Sequence, residues 1–278
     1  MARVVVGVED PDPDVAGQGI ARLRAHGVDV EVGPGSDEVR RSLGPYLHHR
    51  RHGRAFCLVK TAVSLDGRVA AADGSTRWIT AGEARADAHG LRADSQAVVV
   101  GSGTALADRP ALTVRHAAVD RQPLRVLLDA RGRVAADGPL FDPDLAATLV
   151  VTTDRAPRRA VEAWVAAGAK VETVAPGVDG GVDPRAVLEL LGARGVLQAM
   201  VEGGPTLHAA LLRAGLVDRI VAYVAPTFLG PDGWPALAGP GPATLARARR
   251  WHLAAVARLG DDVRLDLEPP DGPPDGDA

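Results

Sequence analysis

The run Lys60-Thr-Ala-Val-Ser-Leu-Asp-Gly-Arg-Val-Ala-Ala-Ala-Asp-Gly-Ser-Thr-Arg-Trp-Ile-Thr80 changes its local pattern twice. It continues an apolar, partly β-branched segment that begins at Ala55, which predicts a strand over 55–63. Leu65-Asp-Gly67 and then Gly74 interrupt that segment with turn chemistry. Thr80 followed by Glu83 has capping-box spacing, so a helix is expected from Thr80 to Ala93. A buried strand that feeds a helix through a Gly-rich turn is the building unit of an α/β sheet.

Lys60 is the unusual residue of the run. Thirty of the thirty-two basic residues are arginine, and Lys170 is the other lysine. An ammonium is a compact charge whose pKa burial can move, which a guanidinium cannot imitate. Lys60 is therefore a candidate functional residue. The plainer alternative is a strand-end lysine whose head reaches water.

Downstream, Ala97–Gly101 reads as a buried strand running into Gly101-Ser-Gly-Thr104. That turn begins like a dinucleotide fingerprint but lacks the third glycine and, on this reading, a following helix. Residues 106–115 read as a loop too broken by proline for a helix. Strands are expected at 123–129, 148–152 and 219–225, and helices at 155–167 and 183–192. Gln198 to Leu212 reads as strand, Gly203-Gly204 turn and helix, and 251–267 as a hairpin. Alternation of strands and helices with a terminal hairpin predicts a mixed α/β sheet. Residues 268–278 are Pro, Gly and Asp without apolar content and are expected to be disordered.

Upstream, residues 3–8, 15–26 and 28–32 read as strand, helix and strand, a single βαβ unit. Two parallel strands alone cannot cover both faces, so this unit is expected to be the end of a larger domain. Residues 36–53 read as a helical linker with a basic end. The expected division is 1–53, 54–267 and 268–278.

Composition narrows the chemistry. A formal charge of −3 with 3% aromatics offers neither a basic stripe nor stacking platforms for nucleic acid. The single cysteine, Cys57, excludes an internal disulfide and a zinc site with two cysteines. No histidine begins a His-x-Glu motif, and no metal site is expected. A short apolar N-terminus meets Glu9-Asp10 at once, and no run has membrane-spanning length, which reads as a cytoplasmic protein. Without a metal or an evident nucleophile, a bound cofactor would carry the hard chemistry. Gly203-Gly-Pro-Thr206 can bring backbone close to a phosphate at a helix N-terminus, or can be a plain tight turn. Arg92 and Arg115 can clamp a second anion or be solvated. Glu202 can be a poised, partly buried acid or a cap.

Taken together, Lys60–Arg68, Trp78–Thr80, Leu91–Ala93, Val100–Thr104, Leu106–Asp108, Leu112–Arg115, Val201–Leu207 and Ala225–Gly230 resemble the reductase domain of bacterial riboflavin-biosynthesis deaminase/reductases. The similarity runs in order from about residue 54 to 267. Residues 1–53 resemble the end of the deaminase domain of the same proteins. That family's His-x-Glu and Pro-Cys-x-x-Cys motifs are absent, so deaminase activity is not expected. The resemblance implies a dihydrofolate-reductase-like mixed sheet flanked by helices, preceded by a small βαβ remnant. It also implies a homodimer that uses NADPH to reduce 5-amino-6-(5-phosphoribosylamino)uracil.

By position, Lys60 and Glu202 would be catalytic. Thr76, Arg92, Leu112, Arg115 and Glu202 would contact substrate. Ala62, Trp78, Thr104, Asp108, Ala130, Gly204, Pro205, Thr206 and Leu207 would contact the cofactor, within a turn that extends to Ala210. Three positions depart from the family: Thr76 for serine, Arg109 for aspartate and Thr227 for lysine. The alternatives are a reductase of the non-deaminated pyrimidine or of a pteridine-like substrate such as dihydrofolate, and a non-catalytic remnant that binds a partner.

Overall fold

The computed structural model describes residues 2–115, 117 and 119–270; most of the expected disordered tail, 271–278, lies outside them. The chain forms two compact units, one of residues 1–56 and 189–197, the other of 57–188 and 198–278. In the first, β1 (Arg3–Val6) and β2 (Asp29–Val32) pair in parallel, joined by α1 (Gln18–Ala25). The helices α2 (Ser36–Ser42) and α3 (Gly44–His52) follow, and Gly53 ends α3 in the left-handed region at φ 67°. The βαβ pattern expected from the sequence is present.

In the second unit, a nine-stranded sheet runs in the order β12-β13-β10-β3-β9-β5-β6-β7-β8. Its strands are β3 (Phe56–Ser64), β5 (Ala97–Gly101), β6 (Leu124–Leu128), β7 (Thr148–Thr152), β8 (Lys170–Thr173), β9 (Gln198–Val201), β10 (Arg219–Ala225), β12 (His252–Leu259) and β13 (Asp262–Glu268). β10 and β3 are parallel, as are β9, β5, β6, β7 and β8, while β13 and β12 are antiparallel. A short ribbon pairs β4 (Arg68–Ala70) with β11 (Trp234–Pro235). The helices are α4 (Gly82–Ala93), α5 (Ser102–Asp108), α6 (Arg158–Ala166), α7 (Pro184–Ala193) and α8 (Pro205–Arg213). The mixed, helix-flanked sheet expected from the sequence is the one observed.

The central strands read as continuous apolar runs because both their faces are covered. Val98, Val100, Leu127 and Val150 are buried against Trp164 of α6, whose indole Nε1 donates to Val134 O at 2.9 Å. Leu58, Met200, Val221 and Tyr223 pack against Ala84, Ala88 and Leu91 of α4.

Two local expectations fail. The Thr80–Glu83 capping box does not form; Ala81 is the N-cap, and its amide donates to Asp262 Oδ2 at 2.7 Å. Glu83 instead lies against Gly260 in the β12–β13 turn, where an added Cβ would meet its carboxylate at 3.1–3.2 Å. A helix, α5, does follow Gly101 and runs through the first part of the expected loop. It stops at Arg109, which takes the left-handed region at φ 43°, one residue before Pro110.

Candidate active site

The winding direction reverses between β5 and β9, since β5 to β8 step one way across the sheet and β9 to β10 the other. Ligands of open parallel sheets collect at the carboxyl ends of the strands beside such a reversal. Here that place opens into a cleft of about 2100 Å³. Every site residue named from the sequence lines it: Lys60, Ala62, Thr76, Trp78, Arg92, Thr104, Asp108, Leu112, Arg115, Ala130, Glu202 and Gly204 through Leu207. Arg109 also lines it, whereas Thr227 lies on a separate shallow depression beside Ala81 and Asp262.

Three charges form the centre. Glu202, just past β9, accepts from Arg92 Nε and, at 2.8 Å, from Arg92 Nη2. Arg92 Nη1 donates to Thr113 O at 3.0 Å, which ties α4 to the loop after α5. All three side-chain nitrogens of Arg92 thus donate within the protein, two of them to Glu202. Burial pushes the Glu202 carboxyl up, but the Arg92 charge and hydrogen bond, with Lys60 and His89, hold it at about 2. For Arg92, burial works downward and Glu202 outweighs it, so its pKa is raised.

Lys60 extends from the middle of β3, level with Val221 of β10. Its ammonium lies 5.7 Å from the centre of the Tyr223 ring, a cation–π contact. Burial lowers the Lys60 pKa; Glu202 and Asp108 oppose this, and Arg92 adds to it. An ammonium destabilised by its surroundings is a readier proton donor than a surface lysine. Thr76 Oγ1 donates to Asp108 Oδ1 at 2.8 Å, so the hydroxyl that replaces serine's keeps a partner.

No sequence pattern points to the support beneath Tyr223. Its hydroxyl donates to Asp87 Oδ2 at 2.6 Å, and Arg264 Nη1 donates to the same carboxylate at 2.8–3.0 Å. Arg264 also grips Asp266 through Nε and Nη2, at 2.8 and 2.9 Å. These partners come from α4, β10 and β13; α4 precedes the other two by more than a hundred residues, and no local pattern links them.

The second half of the site is the turn after β9. Gly204 is the N-cap of α8, with Pro205 in the first turn and no side-chain cap. A Cβ on Gly203 would meet Leu207 Cδ2 at 2.7 Å, and one on Gly204 would meet Thr104 Oγ1 at 3.1 Å. Close packing against Leu207 therefore favours glycine at 203, and the half-buried turn sits at a helix N-terminus, which suits a phosphate. At the mouth, Trp78 is 67% exposed and Trp234 50%, with the Arg85 guanidinium 4.5 Å over the Trp78 ring. Leu112 takes φ 53° in the loop that closes the cleft, yet its side chain is buried with Val100. A leucine in that region is strained by about 1–3 kcal/mol, which its burial offsets. Among the described residues no cluster of His, Cys, Asp or Glu could hold a metal ion. None of their helices is long and apolar enough to cross a membrane.

The family described as the RibD C-terminal domain matches residues 55–265. Riboflavin biosynthesis protein RibD of Chlamydia pneumoniae is 44% identical over 238 residues, which cover 84% of this chain and 63% of that protein. The chain thus spans less than two thirds of that relative. The structure of Acinetobacter baumannii RibD, form 1, superposes with a TM-score of 0.83 at 33% identity, covering 96% of this chain and 72% of that one. A Thermotoga maritima structure described as a diaminohydroxyphosphoribosylaminopyrimidine deaminase/5-amino-6-(5-phosphoribosylamino)uracil reductase gives a TM-score of 0.81 at 26% identity. It covers 97% of this chain and 72% of that one.

Proposed function

Because this chain belongs to the RibD C-terminal domain family, we propose that it is an NADPH-dependent reductase of 5-amino-6-(5-phosphoribosylamino)uracil, the reaction named for the reductase part of its Thermotoga maritima relative. The observation that carries the reading is the shared cleft. The Lys60–Glu202–Arg92 cluster and the Gly203-Gly204 cradle at the α8 N-terminus open into one space. The fit to a dinucleotide rests on the turn lining the cleft at the N-terminus of α8, where backbone amides favour a phosphate. Gly204, Pro205, Thr206 and Leu207 would hold the phosphates, with Thr104 and Asp108 of α5, Ala130 after β6, Ala62 of β3 and Trp78 lining the rest of the cofactor's place. NADPH held by these residues would supply the hydride that reduces the ribose C1 carbon of the ring-opened substrate.

The protein's residues orient and neutralise. Lys60 meets negative charge that develops on the sugar or gives up a proton there, and Glu202 with Arg92 fixes the ammonium's position. Leu112, Thr76 and Arg115 line the wall that would face the pyrimidine and the substrate phosphate. A cytoplasmic homodimer is part of the same proposal. Its support is the outer strand β12, whose Leu253 and Val256 are 50% and 58% exposed.

The test follows loss of reduced-nicotinamide absorbance with purified chain and three substrates offered separately. These are the deaminated ribosylaminopyrimidine phosphate, its non-deaminated precursor and dihydrofolate. Turnover of the first alone supports the reading. Preference for either of the others moves the activity to that substrate. Cofactor binding without turnover of any of them removes the assignment.

A further inference from the structure

We propose that Tyr223 is a positioning residue for Lys60: its ring face holds the ammonium in place, and Asp87 and Arg264 hold the ring. The catalytic consequence rests on the reductase reading; the geometry does not. In the parallel pairing of β10 with β3, Lys60 is level with Val221, and Ala62 with Tyr223. Side chains alternate between faces along a strand, so Lys60 and Tyr223 leave the same face from neighbouring strands. That face is the one α4 covers, because Leu58, Val221 and Tyr223 pack there against Ala84, Ala88 and Leu91. Lys60 Nζ stands 5.7 Å from the centre of the Tyr223 ring, and both residues line the cleft. Tyr223 is only 1% exposed, so the contact is made out of bulk water, where a cation is drawn most strongly to an aromatic face.

A ring can serve this way only if it does not turn or shift. Tyr223 is fixed at its hydroxyl, which donates to Asp87 Oδ2 at 2.6 Å. Asp87 is fixed in turn by Arg264 Nη1, which reaches its two oxygens at 3.0 and 2.8 Å. Arg264 lies directly across the β10–β13 ladder from Tyr223 and is clamped by Asp266, which also accepts from Arg219 at the start of β10. Charge-assisted bonds are short and directional, so this chain fixes the plane of the ring as well as its depth. Burial, with the Asp87 hydrogen bond and charge, raises the Tyr223 pKa, so the hydroxyl keeps the proton it donates. The charged groups that act on Lys60 are Glu202 and Asp108, which favour the ammonium, and Arg92, which opposes it. Glu202 accepts from Arg92 at both oxygens and so divides its charge between two cations. The ring face adds an attraction of its own and sets the direction in which the ammonium meets the cleft.

The presence of only two lysines makes the contact measurable without turnover. Lysine labelled with ¹³C gives NMR signals for Lys60 and for the exposed Lys170, which serves as the reference, and both are followed through a pH titration. An aromatic face displaces the resonances of a group above it upfield, so the Lys60 methylene beside the ammonium reports the contact directly. An undisplaced Lys60 signal in the unaltered protein overturns the proposal without any variant. Tyr223→Leu is expected to remove the displacement and lower the Lys60 midpoint by at least about half a unit, with Lys170 unmoved. Where leucine prevents folding, Tyr223→Met fills the vacated space with an adaptable apolar chain and is expected to act in the same way. Tyr223→Phe keeps the ring and is expected to keep the displacement and most of the midpoint. An unchanged or raised midpoint in the apolar variants overturns the proposal, as does a fall of the same size in Tyr223→Phe. In turnover, kcat of Tyr223→Leu is expected to drop at least about tenfold with the NADPH KM within about twofold, and phenylalanine is expected to restore it to within about threefold. Absence of turnover in the unaltered protein would count against the reductase reading and leave the NMR signals to decide the role of Tyr223.

Discussion

A carboxylate sealed between a guanidinium and an ammonium stays ionised only because of its neighbours, and Glu202 is held that way. Its pKa is about 2 in the fold against an ordinary 4.5, so its contribution to stability is complete above about pH 4.5. It is lost as pH falls toward about 2, and the difference amounts to roughly 3 kcal/mol. Glu202→Gln leaves Arg92 buried without its counter-charge and is expected to cost about 3–5 kcal/mol at neutral pH. Urea unfolding at a series of acid pH values checks both points: the gap between wild type and variant should close as the pH falls. Lys60→Ala tests the other charge. We expect kcat to fall by at least about a hundredfold while NADPH still binds, because a proton donor or charge stabiliser is removed from chemistry and not from the cradle. Equal kcat in single-turnover measurements would remove Lys60 from the reaction.

Helix α4 shows how elements carry these residues. It presents Arg92 to Glu202 and Asp87 to Tyr223, and its first amide is capped from β13 by Asp262. Asp262→Ala is expected to cost about 1 kcal/mol in a thermal melt, the size of a lost N-cap, and to lower kcat by loosening Arg92. The Gly203–Gly204 turn is the second such element. Gly203→Ala forces its Cβ onto Leu207, which should destabilise the protein by about 1–3 kcal/mol and raise the Kd for NADPH in calorimetric titration.

The same two elements mark the limit of what the sequence could tell. The turn was legible because glycine, proline and a strand of β-branched residues act locally. The cap was not, because Thr80 and Glu83 have the right spacing but Asp262, 181 residues onward, reaches Ala81 first. The helix α5 was hidden by its shortness and by Pro110, and the ribbon of β4 and β11 by having only two or three residues per strand. The pairing of Arg92 with Glu202 spans 110 residues and leaves no periodic trace. Resemblance to a known family named both residues, but only the folded chain shows that they hold each other.

At the scale of the whole molecule, the site depends on the sheet that carries it. β3, β9, β5 and β6 each deliver a strand end to the cleft, so a ligand bound there ties four strands together. NADPH at about a hundred times its Kd is therefore expected to raise the unfolding free energy by about 2.7 kcal/mol, measured by denaturation in urea. An unmoved midpoint at that concentration would show that the cofactor does not prefer the folded chain.

The positions of three of the four tryptophans, Trp78, Trp164 and Trp234, have an optical consequence. Trp164 lies dry in the core, while Trp78 and Trp234 stand at the mouth of the cleft, one of them stacked under a guanidinium. Reduced nicotinamide absorbs where indole emits. Excitation energy collected by the two outer rings would drain into a bound cofactor, and the inner ring would mainly report on unfolding. Replacing Trp251 by phenylalanine leaves a spectroscopic record of occupancy and of integrity in these rings, with no dye attached.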